Sequence, residues 1–241
     1  ILELVVMQRQ QVLLGVKKYD LAIVEAQKLV DSAPGTPKYY NNLADVYRKA
    51  GQKEKATETY KKLLELDPNN ALVQLSMATY YMEDGNTEKG QELLRKAFRN
   101  PGLDFESKGR ILLNNVMKQD KSTGKVDEFT FELIDSMKIA HPLNAQIHAI
   151  EADLLFQNKQ EDKSLAAYKR SLAIDSNQFL IWNRVLFIHS DQENWLAMYT
   201  DGKAAIELFP SQGTLYYLVG IGANQMKNYK EAIDVLETGK D

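Results

Sequence analysis

Apolar residues recur along this chain at helical intervals. Between Pro37 and Lys49, the residues Tyr40, Leu43, Ala44 and Tyr47 are spaced three, one and three apart, so they share one face of a helix. Ala56, Tyr60 and Leu63 do the same for a second helix. Gly51 lies between the two, where a turn needs a residue tolerant of positive φ, and Pro68 follows Asp67 where the second helix must stop. The pattern predicts two helices joined by a short turn, each with one apolar face.

This arrangement recurs. Aligning Ala56, Tyr60 and Pro68 with equal spacings elsewhere gives units that begin at Glu3, Pro37, Ala71 and Phe105, each 34 residues apart. A second set begins at Ala145, Phe179 and Gly213, again 34 apart, while the step from Phe105 to Ala145 is 40. Six extra residues therefore belong to the fourth unit. They are placed in Gln119 to Lys125 (QDKSTGK), whose Gly, Ser and charged residues predict a longer turn between two helices. The expected organisation is one array over residues 1–241, with repeats at 3–36, 37–70, 71–104, 105–144, 145–178, 179–212 and a truncated 213–241.

The Pro37 unit, with Tyr40, Leu43, Ala44 and Tyr47 followed by Ala56, Tyr60 and Pro68, resembles the tetratricopeptide repeat family. Phe179 to Gln212 follows the same pattern with Trp182, Leu186, Ala205 and Pro210, and the last unit with Tyr216, Gly220 and Ala232. The Ala145 unit keeps Ala152 and Tyr168 but has Ser164, Ser171 and Ser176 where Ala, Ala and Pro are usual; serine is small enough to preserve the packing. The Phe105 unit rests on Ile111, Leu112, Ile134, Met137 and Pro142, and departs at Gly109, Asn114 and Asn115. The resemblance implies an all-α fold, a right-handed α-solenoid of about seven helix-turn-helix units. One hairpin cannot bury its apolar faces alone, whereas a stack shares a continuous core. Ala44, Ala56, Ala78 and Gly220 are then the positions where helices approach most closely.

The resemblance also implies that the first helices line a concave surface on which a partner lies. Residues at the fifth, ninth and twelfth positions of each unit are four and three apart and form one stripe. They are Asn41, Asp45 and Arg48; Leu75, Thr79 and Met82; Ala149, Asp153 and Phe156; Asn183, Phe187 and Ser190; and Tyr217, Ile221 and Asn224. Side-chain amides can bond a peptide backbone, and Phe187 or Tyr217 can anchor apolar groups. One subclass of the family clamps the terminal carboxylate of chaperone tails. Lys38, Asn42 and Arg184 take inward-leaning positions here, but not in the succession that the clamp requires, so no such specificity is expected.

Composition narrows the partners further. With 44% hydrophobic and 26% charged residues, the 241-residue chain has the make-up of a folded protein. Its 30 basic and 33 acidic residues are interspersed, so no nucleic acid is expected as partner. The absence of cysteine removes disulfides, thiolate metal sites and a cysteine nucleophile, but leaves both cytoplasm and periplasm open. The longest apolar run, Leu215 to Ala223, is about half of a membrane span, so no direct membrane span is expected. The Lys- and Asn-rich, cysteine-free style is similar to that of repeat-bearing envelope lipoproteins of Gram-negative bacteria, which suggests the periplasm or cell envelope. The chain opens on Ile1 and reads as an excerpt of a longer protein.

Candidate chemistry adds little. His148 and Glu151 stand one turn apart, but a metal would need further ligands, and His141 and His189 do not supply them by spacing. Gly220 and Gly222 fall within a helical pattern with no preceding strand, so they are not a phosphate-binding turn. No nucleophile elbow, Walker loop or zinc-protease helix occurs. No catalytic residue, metal or cofactor is therefore expected. The expected function is a scaffold that binds a peptide or partner protein on its concave surface. The alternative is a structural or regulatory array within a larger envelope, signalling or secretion protein, a role in which self-association would be at home.

Overall fold

The computed structural model describes residues 2–118 and 124–239. Among these, fourteen α-helices and no strands occur. They come in pairs: α1 (Leu2–Gly15) with α2 (Tyr19–Ser32), α3 (Pro37–Lys49) with α4 (Lys53–Leu66), and α5 (Ala71–Glu83) with α6 (Thr87–Arg99). After them come α7 (Phe105–Lys118) and α8 (Glu128–Ala140), α9 (Ala145–Gln157) and α10 (Glu161–Ile174), α11 (Phe179–Asp191) and α12 (Trp195–Leu208), and α13 (Gly213–Gln225) and α14 (Tyr229–Thr238). Within residues 1–112 the pairs α1/α2, α3/α4 and α5/α6 each pack together and each on the next, and within residues 113–241 α8 packs on α9 and the pairs α9/α10, α11/α12 and α13/α14 do the same, as helical repeats do.

Six of the hairpin turns share one geometry. After α3 the amide of Gly51 donates to the carbonyl of Arg48 (3.0 Å) and that of Gln52 to Tyr47 (2.9 Å), a Schellman motif closed by a left-handed residue. After α9 the corresponding bonds run from Lys159 to Phe156 (2.8 Å) and from Gln160 to Leu155 (2.9 Å). Glycine fills the left-handed position at Gly51 and Gly85, but Lys17, Lys159, Glu193 and Lys227 fill it elsewhere, with φ between 53° and 61°. These four residues accept the strain because two backbone bonds fix the turn around them.

The connections between hairpins are also pinned. The fourth residue of a first helix reaches back to a carbonyl of the preceding connector. Trp182 donates its indole N–H to Ser176 (2.8 Å), the Tyr216 hydroxyl bonds Pro210 (3.0 Å), and Gln74 Nε2 bonds Pro68 (3.2 Å). At the same place on α7 stands Lys108, fully buried, whose Nζ donates to Asn100 (2.9 Å). Burial lowers this ammonium from the ordinary 10.5 to about 8.

The chain forms two compact units, Ile1–Leu112 and Leu113–Asp241, with the boundary inside α7. In the first, Ala22, Ala26 and Val30 of α2 pack against Leu43 and Val46 of α3. Ala44, Ala56 and Ala78 are buried, as close helix approach requires. In the second, Ala152, Leu155, Ala167, Tyr168, Val185 and Ile188 form one core, and Leu186, Met198, Ala205, Leu215 and Leu218 another. Ser164 and Ser171 are fully buried there, and each hydroxyl finds a carbonyl, of Ala152 (2.8 Å) and Ala145 (2.9 Å). At Gly220 a Cβ would come within 2.6 Å of the Leu236 side chain, which would have to shift, so α13 and α14 meet closely here.

Of the longer turn expected over Gln119 to Lys125, residues 119–123 lie outside the described residues. Beyond them, Val126 is buried and exchanges two backbone bonds with the Asn158 carboxamide, at 2.8 and 3.0 Å. This anchors the start of α8 to the end of α9.

Candidate functional site

The predicted stripe follows the first helices, and within each unit neighbouring first helices touch: α3 meets α5, and α11 meets α13. None of its residues is fully buried. Their chemical states nevertheless divide sharply.

On α3 the stripe is bound to its own scaffold. Asp45 accepts a hydrogen bond from the Tyr60 hydroxyl (2.8 Å), reaching from α3 to α4. Burial pushes the Tyr60 hydroxyl far above the usual tyrosine range, and the Asp45 charge adds to the effect. Arg48 Nε lies 3.6 Å from Asp45, while its Nη1 meets both Glu83 oxygens of α5 at 2.8 and 2.9 Å. Asn41 is half-buried, and its Oδ1 is enclosed without a partner in the chain. On α5, Thr79 is exposed and returns its hydroxyl to Leu75 (3.1 Å). Leu75 packs on the core of Ala71, Ala97 and Leu103, and Met82 lies where a Cβ on Gly90 would meet it. These two serve packing first.

The second unit presents a different surface. Asp153 repeats the Asp45 arrangement by accepting from Tyr168, whose hydroxyl is raised by burial and by this bond. Phe156 on α9 is 41% exposed, Phe187 on α11 51% and Tyr217 on α13 59%. Asn183, one turn before Phe187, is half-buried with its Oδ1 enclosed and unpartnered. Asn224 is exposed, Ala149 and Ser190 are half-buried, and Ile221 packs against the core of Leu186 and Leu215.

Sequence reasoning missed one part of the stripe because it began at the second repeat, with Asn41. Met7, Gln11 and Leu14 hold the fifth, ninth and twelfth positions of the first unit, and with α3 they line a cleft of about 200 Å³. The recurring Asp45–Tyr60 and Asp153–Tyr168 pairs, each 15 residues apart, were a signal that could have shown which stripe carboxylates are engaged.

The histidines have structural partners. His189 is buried on α11 with Nε2 2.9 Å from Asp201, which also pairs with Lys169 at 2.9 Å. His148 lies 3.6 Å from Glu151, which is shared with Lys138 (2.6 Å) and Arg170 (3.4 Å). Among the described residues no group of three or more His, Cys, Asp or Glu side chains is placed to hold a metal ion. No described helix is long and apolar enough to cross a membrane.

Residues 37–70 match the family model of the tetratricopeptide repeat. The chain carries a tetratricopeptide repeat. Solved structures to which the chain is similar include MamA, 16% identical over 82% of this chain and 92% of that one, with a TM-score of 0.40. YrrB, described as a tetratricopeptide-repeat protein with an unusual peptide-binding site, is 15% identical over 89% of this chain and 90% of that one, with a TM-score of 0.37. The C-terminal part of a tetratricopeptide-repeat protein from Cytophaga hutchinsonii is 11% identical over 96% of this chain and 93% of that one, with a TM-score of 0.44.

Proposed function

We propose that the chain is a non-catalytic scaffold that holds an extended segment of another protein against its first helices, with the anchoring residues in the second unit. In this reading the helical hairpins are repeats of one binding array, and the stripe is its working face. One observation carries the proposal: Phe156, Phe187 and Tyr217 leave 41%, 51% and 59% of their surface open at stripe positions of α9, α11 and α13. Water-exposed aromatic rings are costly to keep and are the commonest anchors of protein interfaces. Asn183 stands one turn before Phe187 on the same stripe.

The test is a pull-down with the 241-residue chain beside its Asn183→Ala, Phe187→Ala, Tyr217→Ala variant, read by mass spectrometry. Partners retained by the parent and lost by the folded variant support the reading. Identical partner lists from both would overturn it.

A further inference from the structure

Four residues of α11 are exposed: Leu180, Arg184, Phe187 and Asp191. They are spaced four, three and four apart, so they form one line along the helix. The line changes in kind at each step, from an apolar residue to a cation, an aromatic ring and an anion. Arg184 stands about one turn before Phe187 and Asp191 about one turn after it.

These two charges differ from the others on the same face. The first helices α9, α11 and α13 carry four Asp, Glu, Lys or Arg residues, namely Glu151, Asp153, Arg184 and Asp191. Glu151 is held by Lys138 (2.6 Å) and Arg170 (3.4 Å), and Asp153 accepts from Tyr168. Among the described residues the side chains of Arg184 and Asp191 make neither an ion pair nor a hydrogen bond. Asp191 also lies in the last turn of α11, where the helix dipole disfavours a negative charge, so the helix itself gains nothing from an acid there.

The row of aromatic anchors crosses α11 obliquely, since Phe156 holds the twelfth position of its repeat, Phe187 the ninth and Tyr217 the fifth. Stacked repeats place their first helices side by side in the same direction. A segment that follows the row from Phe156 to Tyr217 therefore comes onto Phe187 from the side of Asp191 and leaves on the side of Arg184.

We propose that Arg184 and Asp191 are charge-reading subsites on the two flanks of Phe187, and that the bound segment carries an apolar residue with a carboxylate two residues to one side and a cation two residues to the other. Extended backbone sends alternate side chains to one face about 6.6 Å apart, so the two charged residues of the segment stand about 13 Å apart. Arg184 and Asp191 are separated by about 10.5 Å along the helix axis, and the reach of Glu and Lys side chains takes up the difference. Exposed charges of this kind choose a partner more than they add affinity. The proposal rests on the interaction reading above, because it takes Phe187 as the anchor.

An NMR titration of the 241-residue chain, following the backbone amides of α11, uses the blocked peptide acetyl-Thr-Glu-Thr-Phe-Thr-Lys-Thr-amide. Two companion peptides carry Lys or Glu at both charged places, and threonine favours the extended form in all three. The mixed peptide should saturate at concentrations about threefold below either companion, the scale of one exposed ion pair, and lose that advantage as salt is raised. Arg184→Glu should make the doubly basic peptide the tightest of the three, and Asp191→Lys the doubly acidic one, with helical circular dichroism unchanged. Equal binding of the three peptides to the parent, no saturable shift with any of them, or one ranking shared by the parent and both variants would each overturn the proposal. Phe187→Ala combined with Tyr217→Ala should weaken all three peptides and keep their order. Equal binding by the parent, with loss in this aromatic variant, removes the charge subsites and leaves the aromatic interface. A kept ranking without any loss in that variant supports the charge subsites and removes the aromatic anchors, so the two readings fail separately.

Discussion

The stripe on α3 and the stripe on α9, α11 and α13 occupy the same repeat positions yet do different work. On α3, Asp45 and Arg48 spend their hydrogen bonds on Tyr60 and Glu83, tying α3 to α4 and α5. In the second unit Asp153 still closes onto Tyr168, but the twelfth position of α9, the ninth of α11 and the fifth of α13 hold Phe156, Phe187 and Tyr217, which stay open to solvent. Repeat position thus fixes where a side chain stands, while its chemistry decides whether it closes the scaffold or stays open to solvent.

The comparison breaks most clearly at the aromatic side. Phe187→Ala combined with Tyr217→Ala should weaken partner binding by about 2 to 4 kcal/mol, as loss of interface anchors does, with thermal stability nearly unchanged. Asp45→Ala should do the reverse, lowering stability and sparing that binding; calorimetric titration beside thermal melts checks both. If Asp45→Ala abolished binding while Phe187→Ala did not, the contrast would be inverted.

Packing offers the next test, because Ala56 and Ser164 hold equivalent places in the two units. Ala56→Leu should cost about 1 to 3 kcal/mol by overpacking. Ser164→Ala keeps the volume and loses only the bond to Ala152, so about 1 kcal/mol is expected. Urea unfolding of both variants measures the difference.

Lys108 gives the first unit a pH signature. Its folded pKa of about 8 lies below the ordinary 10.5, so between these values the unfolded chain binds more protons than the folded one. Stability should therefore rise with pH across this window, by up to roughly 1.4 kcal/mol per pH unit from this group. Lys108→Gln should flatten that rise relative to the parent, read as the difference between two melting curves from pH 7.5 to 10.5.

The smallest effect concerns the turns. Lys159→Gly should stabilise the second unit by about 1 kcal/mol, since glycine adopts the left-handed conformation without strain. Gly51→Lys in the first unit should cost a similar amount.

Much of this fold was legible in the sequence. The spacing of Tyr40, Leu43, Ala44 and Tyr47 marked a helix face, and Leu43 and Ala44 are indeed buried. Gly51 takes the positive φ expected of it, with φ 74°. The matching turns at Lys17, Lys159, Glu193 and Lys227 were not legible, because backbone bonds impose that conformation on residues with no propensity for it. The stripe could be placed by period, but period does not reveal that Asp45 is bonded to Tyr60 or that Leu75 and Ile221 lean into cores. Gln10 was not legible as a buried residue, because a glutamine on a helix reads as surface, yet it is 3% exposed.

The bonds that join hairpins also bear on how the chain would respond to force. Arg48 to Glu83 and Val126 to Asn158 link residues only 35 and 32 positions apart. A pull along either unit would therefore load one such short loop at a time and release it in steps of about one hairpin. Contacts so local in sequence also re-form quickly, so each released hairpin would dock again on its neighbour once the tension fell.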